Sequence, residues 1–129
     1  MRVLNSTNVT ISYGNFSENN LGAGFGVEDT DGAVVANISV YHSFFNDNIG
    51  DDGLQVYTSH NVTIINSTFN NNSANGLDYQ ESNNFTLKTS TFAKNTDQGL
   101  IADGQTRGSN GGLIFNNSFS AKSVIHFLH

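Results

Sequence analysis

The chain has 129 residues, a formal net charge of −6, five basic residues and no cysteine. One domain is expected at this length. A charged fraction of 12% beside an aromatic fraction of 11% argues against disorder, which combines high charge with few aromatic residues. The composition also excludes a basic nucleic-acid-binding surface, thiolate metal sites and thiol catalysis, and no apolar run is long enough to span a membrane.

A repeated pattern begins near the start of the chain. The segments NVTISYGNF, NISVYHSFF, NVTIINSTF and NFTLKTSTF start at Asn8, Asn37, Asn61 and Asn84, spaced 29, 24 and 23 residues apart. A weaker fifth copy reads GLIFNNSF. Apolar and polar residues alternate within each copy, which is typical of a strand with one buried face. A repeat this short cannot bury itself, so successive copies are expected to stack as coils.

Residues of one type recur at the same place in each copy. Stacked coils lie about 4.8 Å apart, so such residues are expected to form ladders, with phenylalanine inside and asparagine at the corners. Asparagine suits corners because it tolerates the left-handed backbone conformation. The rows are Asn8, Asn37, Asn61 and Asn84; Ile11, Val40, Ile64, Leu87 and Ile114; Phe16, Phe45, Phe69, Phe92 and Phe119; and Asn19, Asn48, Asn72 and Asn95.

We therefore predict an all-β fold: a single parallel β-solenoid of about five coils of 23–29 residues with internal Phe, aliphatic and Asn ladders. The chain forms one domain, residues 1–129, with repeats near 8–36, 37–60, 61–83, 84–111 and 112–129. The apolar ending, Ala121 to His129, is interpreted as a crude cap. The pattern leaves open that the chain is a segment of a longer solenoid.

Nine Asn-x-Ser/Thr glycosylation acceptors occur in the chain. We interpret most of them as a consequence of geometry, because an asparagine that turns a corner is followed by the outward Ser or Thr of the next strand. Asparagines in a corner ladder, such as Asn61, would be poor acceptors since their amides are already engaged. The acceptors are Asn5, Asn8, Asn15, Asn37, Asn61, Asn66, Asn71, Asn84 and Asn116.

These rows, from about Asn8 to Phe119, resemble the right-handed parallel β-helix repeat proteins of the pectate-lyase-like superfamily, with repeats of the NosD type. The resemblance implies an extracellular or cell-surface location and acidic polysaccharide as the commonest substrate. In that superfamily the chemistry usually takes place on the outer face of one sheet. The resemblance is specific for the fold and does not identify a function, because many activities share this architecture.

The outer face of interest belongs to strands that begin with glycine, GFGV, GLQV, GLDY and GLIA. Ladder positions place carboxylates, amides and one tyrosine together there, and this mixture suits sugar hydroxyls. The predicted substrate-binding residues are Asp52, Gln55, Tyr57, Asp78, Gln80 and Asp103.

The segment GDDGLQV, Gly50 to Val56, resembles the Asp-Asp segment of polygalacturonases, in which paired carboxylates act as acid and base. Asp51 and Asp52 match that pair, and Asn75 stands where the family has a histidine. Asp51, Asp52 and Asp78 are the candidate catalytic residues, and together they supply the oxygen ligands that a calcium ion would use. The sequence leaves open whether the chain is an enzyme; a carbohydrate lyase, epimerase or hydrolase is the class considered.

Two functions follow as hypotheses. The first is a secreted or surface module that binds, and in a stronger form processes, acidic polysaccharide on the acidic and amide face. The second is a structural β-helix of a fibre, spike or surface layer that stacks end to end on itself or on neighbouring coils, without catalysis. The expected partners are polysaccharide and further β-helix coils, and neither nucleic acid nor a membrane span.

Overall fold

A computed structural model describes residues 1–28, 35–103, 112–120 and 125–128, with the backbone alone at 103 and 125–128. These residues form fourteen β-strands in three sheets. Within the described ranges, no helix has the length and apolarity needed to cross a bilayer. Sheet 1 contains β1 (Arg2–Leu4), β3 (Phe25–Glu28), β5 (Leu54–Tyr57), β8 (Leu77–Gln80), β11 (Leu100–Asp103) and β14 (Ile125–Leu128). Sheet 2 contains β2 (Thr7–Ser12), β4 (Val35–Tyr41), β6 (Ser59–Ile65), β9 (Asn83–Lys88) and β12 (Gly112–Phe115). Sheet 3 contains β7 (Thr68–Asn70), β10 (Thr91–Ala93) and β13 (Ser118–Ser120).

Strands β1 to β4 alternate between sheets 1 and 2, and from β5 onward the chain visits the three sheets in turn. Every pair of neighbouring strands is parallel. A coil such as β5, β6 and β7 therefore lies directly on the coil that follows it, with equivalent residues in register: Leu54 pairs with Leu77, and Phe69 with Phe92. This confirms the predicted parallel β-solenoid. The stacking supplies each coil with the hydrogen-bond partners and the apolar contacts that it cannot provide for itself.

The core is a stack of phenylalanine rings. Phe45, Phe69 and Phe92 are fully buried, and consecutive rings along the stack have centroids 4.7–5.3 Å apart with nearly parallel planes. Buried aliphatic rows from sheets 1 and 2, including Leu54 and Ile64, pack against this stack. The predicted Phe and aliphatic ladders are thus confirmed, and burial of these large side chains is the main favourable term in folding.

A second, polar ladder lies inside the solenoid next to the rings. Asn48 and Asn72 are buried, and the Nδ2 of each asparagine donates to the Oδ1 of the asparagine one coil later at 2.8–2.9 Å. The same Oδ1 also accepts the backbone N–H of the asparagine one coil earlier, at 3.1–3.2 Å. Because buried polar groups must be paired, each amide in this inner ladder holds two coils together.

The corners of the coils contain a series of non-glycine residues with positive φ. Asn8, Asn37, Asn61 and Asn84 have φ between 55° and 59°, and their exposed amides form an outer ladder with N–O distances of 2.9–3.0 Å. Eight of the nine glycosylation acceptors have this left-handed conformation, Asn15 being the exception. The geometric interpretation of the acceptors therefore agrees with the backbone of all but one of them.

The sequence pattern did not identify two features of the solenoid. Strand β1 pairs with β3, and β14 pairs with β11, so sheet 1 extends beyond the first and the last predicted strands. The described part of the segment interpreted as a crude cap, Ile125–Leu128, is thus a further strand of sheet 1; residues 121–124 and 129 lie outside the description. A row of serines also went unrecognised: the hydroxyls of Ser67 and Ser90 accept backbone N–H groups from the coil before.

Candidate functional site

The outer face of sheet 1 presents two rows of side chains, and the register of the strands defines both. One row is formed by residues that differ in every coil, and the second lies two positions further along each strand. The first row is Arg2, Gly26, Gln55, Asp78 and Ile101. The second contains Leu4 and Glu28, which pair with each other, and Tyr57, Gln80 and Asp103, which pair in that order. The side chain of Asp103 lies outside the description.

Asp52 precedes β5 and is 2% exposed. Its Oδ1 accepts the backbone N–H of Asn75 at 2.7 Å, and its Oδ2 accepts from Nε2 of Gln55 at 3.0 Å. The same Gln55 nitrogen donates to Oδ2 of Asp51 at 2.9 Å. Asn75 in turn accepts the N–H of Gln98, so Asp52 is part of a short ladder between coils. One amide thus bridges a buried carboxylate and a half-buried one.

Asp78 is the centre of a second group and is 5% exposed. The hydroxyl of Tyr57 donates to its Oδ2 at 2.9 Å, and Nε2 of Gln80 lies 3.0 Å from Oδ1 and 2.8 Å from Oδ2. Tyr57 and Gln80 therefore cover the carboxylate and are oriented by it. Asp52 and Asp78, two of the predicted substrate-binding residues, lie beneath the surface, and their hydrogen-bond partners form the outer layer.

A groove of about 420 Å³ opens beside these two groups, over β1, β3 and β5. Arg2, Glu28, Asp51, Gln55 and Tyr57 contribute its polar lining. Arg2 and Glu28 form an ion pair across neighbouring strands. Arg2 lies before the first full repeat, which begins at Asn8, so the repeat pattern does not predict it. A usable signal was present, since Arg2 precedes Asn8 by six residues just as Gln55 precedes Asn61.

The environment changes the acidity of two groups at the site. Burial raises the pKa of the Asp52 carboxyl to about 6; hydrogen bonds from Gln55 and Asn75 oppose the shift, and the charges of Asp78 and Asp51 add to it. Burial and the nearby negative charge of Asp78 raise the pKa of the Tyr57 hydroxyl, so this group stays neutral and donates to Asp78. The site can therefore gain a proton at mildly acidic pH.

Comparison with known proteins places this architecture in a family. The family model described as "Right handed beta helix region" matches residues 1–119. The chain belongs to the right-handed β-helix family. No curated protein sequence matches this β-helix. Among solved structures, the Azotobacter vinelandii mannuronan C-5 epimerase AlgE6 A-module is 13% identical with a TM-score of 0.49; the match covers 96% of this β-helix and 57% of that chain.

The calcium site and the acid–base pair at Asp51, Asp52 and Asp78 stay predictions, and the structure defines the surroundings of these carboxylates. No group of three or more His, Asp or Glu residues in the described part of the chain is arranged to hold a metal ion. Both oxygens of Asp52, and both of Asp78, already accept hydrogen bonds from the protein. Asp51 is the more exposed member of the pair, whereas Asp52 holds a backbone N–H of the next coil and is shielded from a ligand.

Proposed function

We propose that the protein binds polysaccharide along the outer face of sheet 1, in the groove lined by Arg2, Glu28, Asp51, Gln55 and Tyr57. The observation that supports this most is the mutual orientation of the polar side chains. Gln55 is held by Asp51 and Asp52, and Tyr57 is held by Asp78. Side chains fixed before binding lose little entropy when a ligand arrives, which favours affinity.

The chemistry of the groove matches sugar hydroxyls. Carboxylate and amide oxygens accept hydrogen bonds from hydroxyl groups, amide and guanidinium nitrogens donate to them, and the Tyr57 ring offers an apolar face. The groove follows the stacking direction of the coils, since Arg2, Gly26 and Gln55 belong to three successive strands of sheet 1. An extended chain of sugars fits such a surface better than a compact ligand does.

The finer proposal is that the polysaccharide is acidic. A uronate carboxylate would lie at the Arg2 end of the groove, where it would compete with Glu28 for the guanidinium. The hydroxyls of the following sugars would contact Asp51 and Gln55. Protonation of Asp52 removes one negative charge beneath this path, so an acidic polymer is expected to bind more tightly at pH 5 than at pH 7.5. We propose binding and not processing, because Asp52 and Asp78 are covered.

Isothermal titration calorimetry with oligosaccharides of matched length, one polyuronide and one neutral, tests the proposal. Gln55→Ala should weaken binding about tenfold, since it removes a positioned amide worth about 1.4 kcal/mol. Thr63→Ala, on the outer face of sheet 2, is the matched control and should leave binding unchanged. Equal losses in both variants, or no heat with either oligosaccharide, would refute the proposed groove. A polyuronide affinity that does not change with pH would refute the finer proposal alone.

The structural alternative also remains a proposal. The rings at the two ends of the stack, Phe16 and Phe119, are partly buried, whereas Phe45, Phe69 and Phe92 between them are fully buried. Another coil, from a second copy, would cover those outer rings and continue the sheets. Light scattering across a concentration series tests this: a species that grows with concentration supports stacking as the function, and a constant mass of 13.9 kDa contradicts it.

A further inference from the structure

One glycosylation acceptor differs from the other eight in its backbone. Those eight asparagines have positive φ and turn corners, where the fold itself favours asparagine. Asn15 does not have positive φ, so no corner requires an asparagine there. It lies in extended backbone, is exposed, and forms a single bridging pair with Phe44 of the next coil.

The amides of most corner asparagines are already in use. The Nδ2 atoms of Asn37, Asn61 and Asn84 each donate to the preceding member of the outer ladder, and Nδ2 of Asn71 donates to Asp47 at 2.6 Å. N-glycosylation replaces a hydrogen on that nitrogen with a sugar. Sugars on neighbouring ladder positions would also have to fit within the spacing of the coils, about 4.8 Å. A glycan on the outer ladder therefore conflicts with the native stack.

Asn15 meets neither obstacle. Among the described contacts its side chain makes no hydrogen bond, so its amide nitrogen can take a sugar without breaking a ladder. Ser17, the hydroxyl residue of the same acceptor, accepts the backbone N–H of Asn46 at 3.2 Å and so keeps its own O–H proton available. The row that contains Asn15 continues through Phe44 and Thr68, on the outside of the solenoid.

Phe44 provides an independent reason to expect a ligand beside Asn15. Its side chain is 50% exposed, whereas Phe45, the next residue, is fully buried in the ring stack. The equivalent residue one coil later is Thr68, so the fold does not require an aromatic residue at this position. The apolar face of a sugar attached to Asn15 would cover the exposed ring, and removal of that apolar surface from water is favourable.

We propose that Asn15 is an N-glycan acceptor and that the first sugar of its glycan packs on Phe44. The proposal concerns a different face from the polysaccharide groove and is independent of it. The remaining acceptors with engaged amides serve the corners of the coils and stay unmodified in the folded protein.

Site occupancy tests the first half of the proposal. The full chain is secreted, by means of an added signal peptide, from a eukaryotic host that N-glycosylates, and glycopeptides of the folded protein are mapped by mass spectrometry. A glycan is expected at Asn15 and none at Asn37, Asn61 or Asn84. Asn15→Gln and, separately, Ser17→Ala should each remove that glycan. An unmodified Asn15, or a folded protein with a glycan on Asn37, Asn61 or Asn84, overturns the proposal.

The contact with Phe44 is tested by a cycle of four proteins. The two backgrounds are wild type and Phe44→Thr, which copies the residue at position 68. In each background, the protein whose glycan is trimmed to its first sugar is compared with the Asn15→Gln variant, which carries no glycan at that position. The sugar is expected to raise Tm by about 2–5 °C when Phe44 is present and by less than about 1 °C in the Phe44→Thr background. An equal increase in both backgrounds overturns the packing of the sugar on Phe44.

Discussion

The interior of the solenoid and the outer face of sheet 1 follow opposite rules. Inside, two rows repeat one residue from coil to coil: five phenylalanines stack on one another, and the buried asparagines do the same. On the outer face the row that begins at Arg2 continues with Gly26, Gln55, Asp78 and Ile101, and no residue type occurs twice. Stacking explains why the interior ladders repeat one residue type. Nothing in the fold requires the residues of the outer row to differ from one another. Residues that vary where the architecture would accept a repeat are therefore the ones to examine for function.

The largest expected effect lies in the inner ladder. Asn72→Ala removes the acceptor of the Asn48 backbone and side-chain N–H groups and the donor to the Phe45 carbonyl and to Asn95. Several buried polar groups lose a partner, so the free energy of unfolding should fall by about 3–5 kcal/mol. Urea unfolding followed by circular dichroism measures this loss.

The matched change in the outer ladder is Asn61→Gly. Glycine keeps the left-handed conformation that the corner needs, and the hydrogen bonds it loses are exposed, so the expected loss is below about 1 kcal/mol. If the two variants were equally destabilised, the distinction between a structural interior and a tolerant exterior would be wrong.

Two glycines sharpen the same comparison at a smaller scale. A Cβ at Gly53 would lie 2.6 Å from the Gly76 carbonyl oxygen and 2.8 Å from the Asn72 amide, whereas a Cβ at Gly26 would meet nothing closer than Arg2 Cγ at 3.6 Å. Gly53→Ala should cost about 1–3 kcal/mol, because backbone and ladder must shift. Gly26→Ala should change stability by less than about 0.5 kcal/mol. A Gly53→Ala protein with wild-type Tm would contradict this account of the inner packing.

The outer face should add a pH dependence to stability that the interior lacks. The pKa of Asp52 is raised from 3.8 to about 6 on folding, so the folded state holds this proton more tightly than the unfolded chain does. The resulting stabilisation is complete below about pH 4 and is lost as pH rises through about 6, a change of about 1–3 kcal/mol. Asp52→Asn keeps an oxygen for the Asn75 N–H and should remove this pH dependence.

Urea unfolding at intervals between pH 4 and 7.5, on wild type and Asp52→Asn in parallel, measures that difference. The control variant is Asp51→Asn, which alters the half-buried neighbour and should retain most of the slope. Identical curves for wild type and Asp52→Asn would show that this carboxyl does not bind its proton more tightly in the folded protein.

The sequence predicted the repeating part of the molecule well and the varying part less well. Ladders of Phe and Asn could be recognised because identical residues recur at one spacing, and stacking explains that recurrence. The burial of Asp52 and Asp78 could not be predicted, since it depends on how Gln55, Tyr57 and Gln80 fold over the carboxylates. Arg2 was missed because a single partial coil shows no recurrence. Periodicity thus identifies what repeats, and an unrepeated site needs coordinates.

The most direct test of the central claim is a nuclear magnetic resonance titration of the isotopically labelled protein with a polyuronide oligosaccharide at pH 5. The account predicts that shifted amide signals are confined to the outer face of sheet 1, around Gln55, Tyr57 and the neighbouring β3 strand, with the strands of sheets 2 and 3 unchanged. Shifts centred on sheet 2, on sheet 3 or on the partly buried rings Phe16 and Phe119 would contradict it.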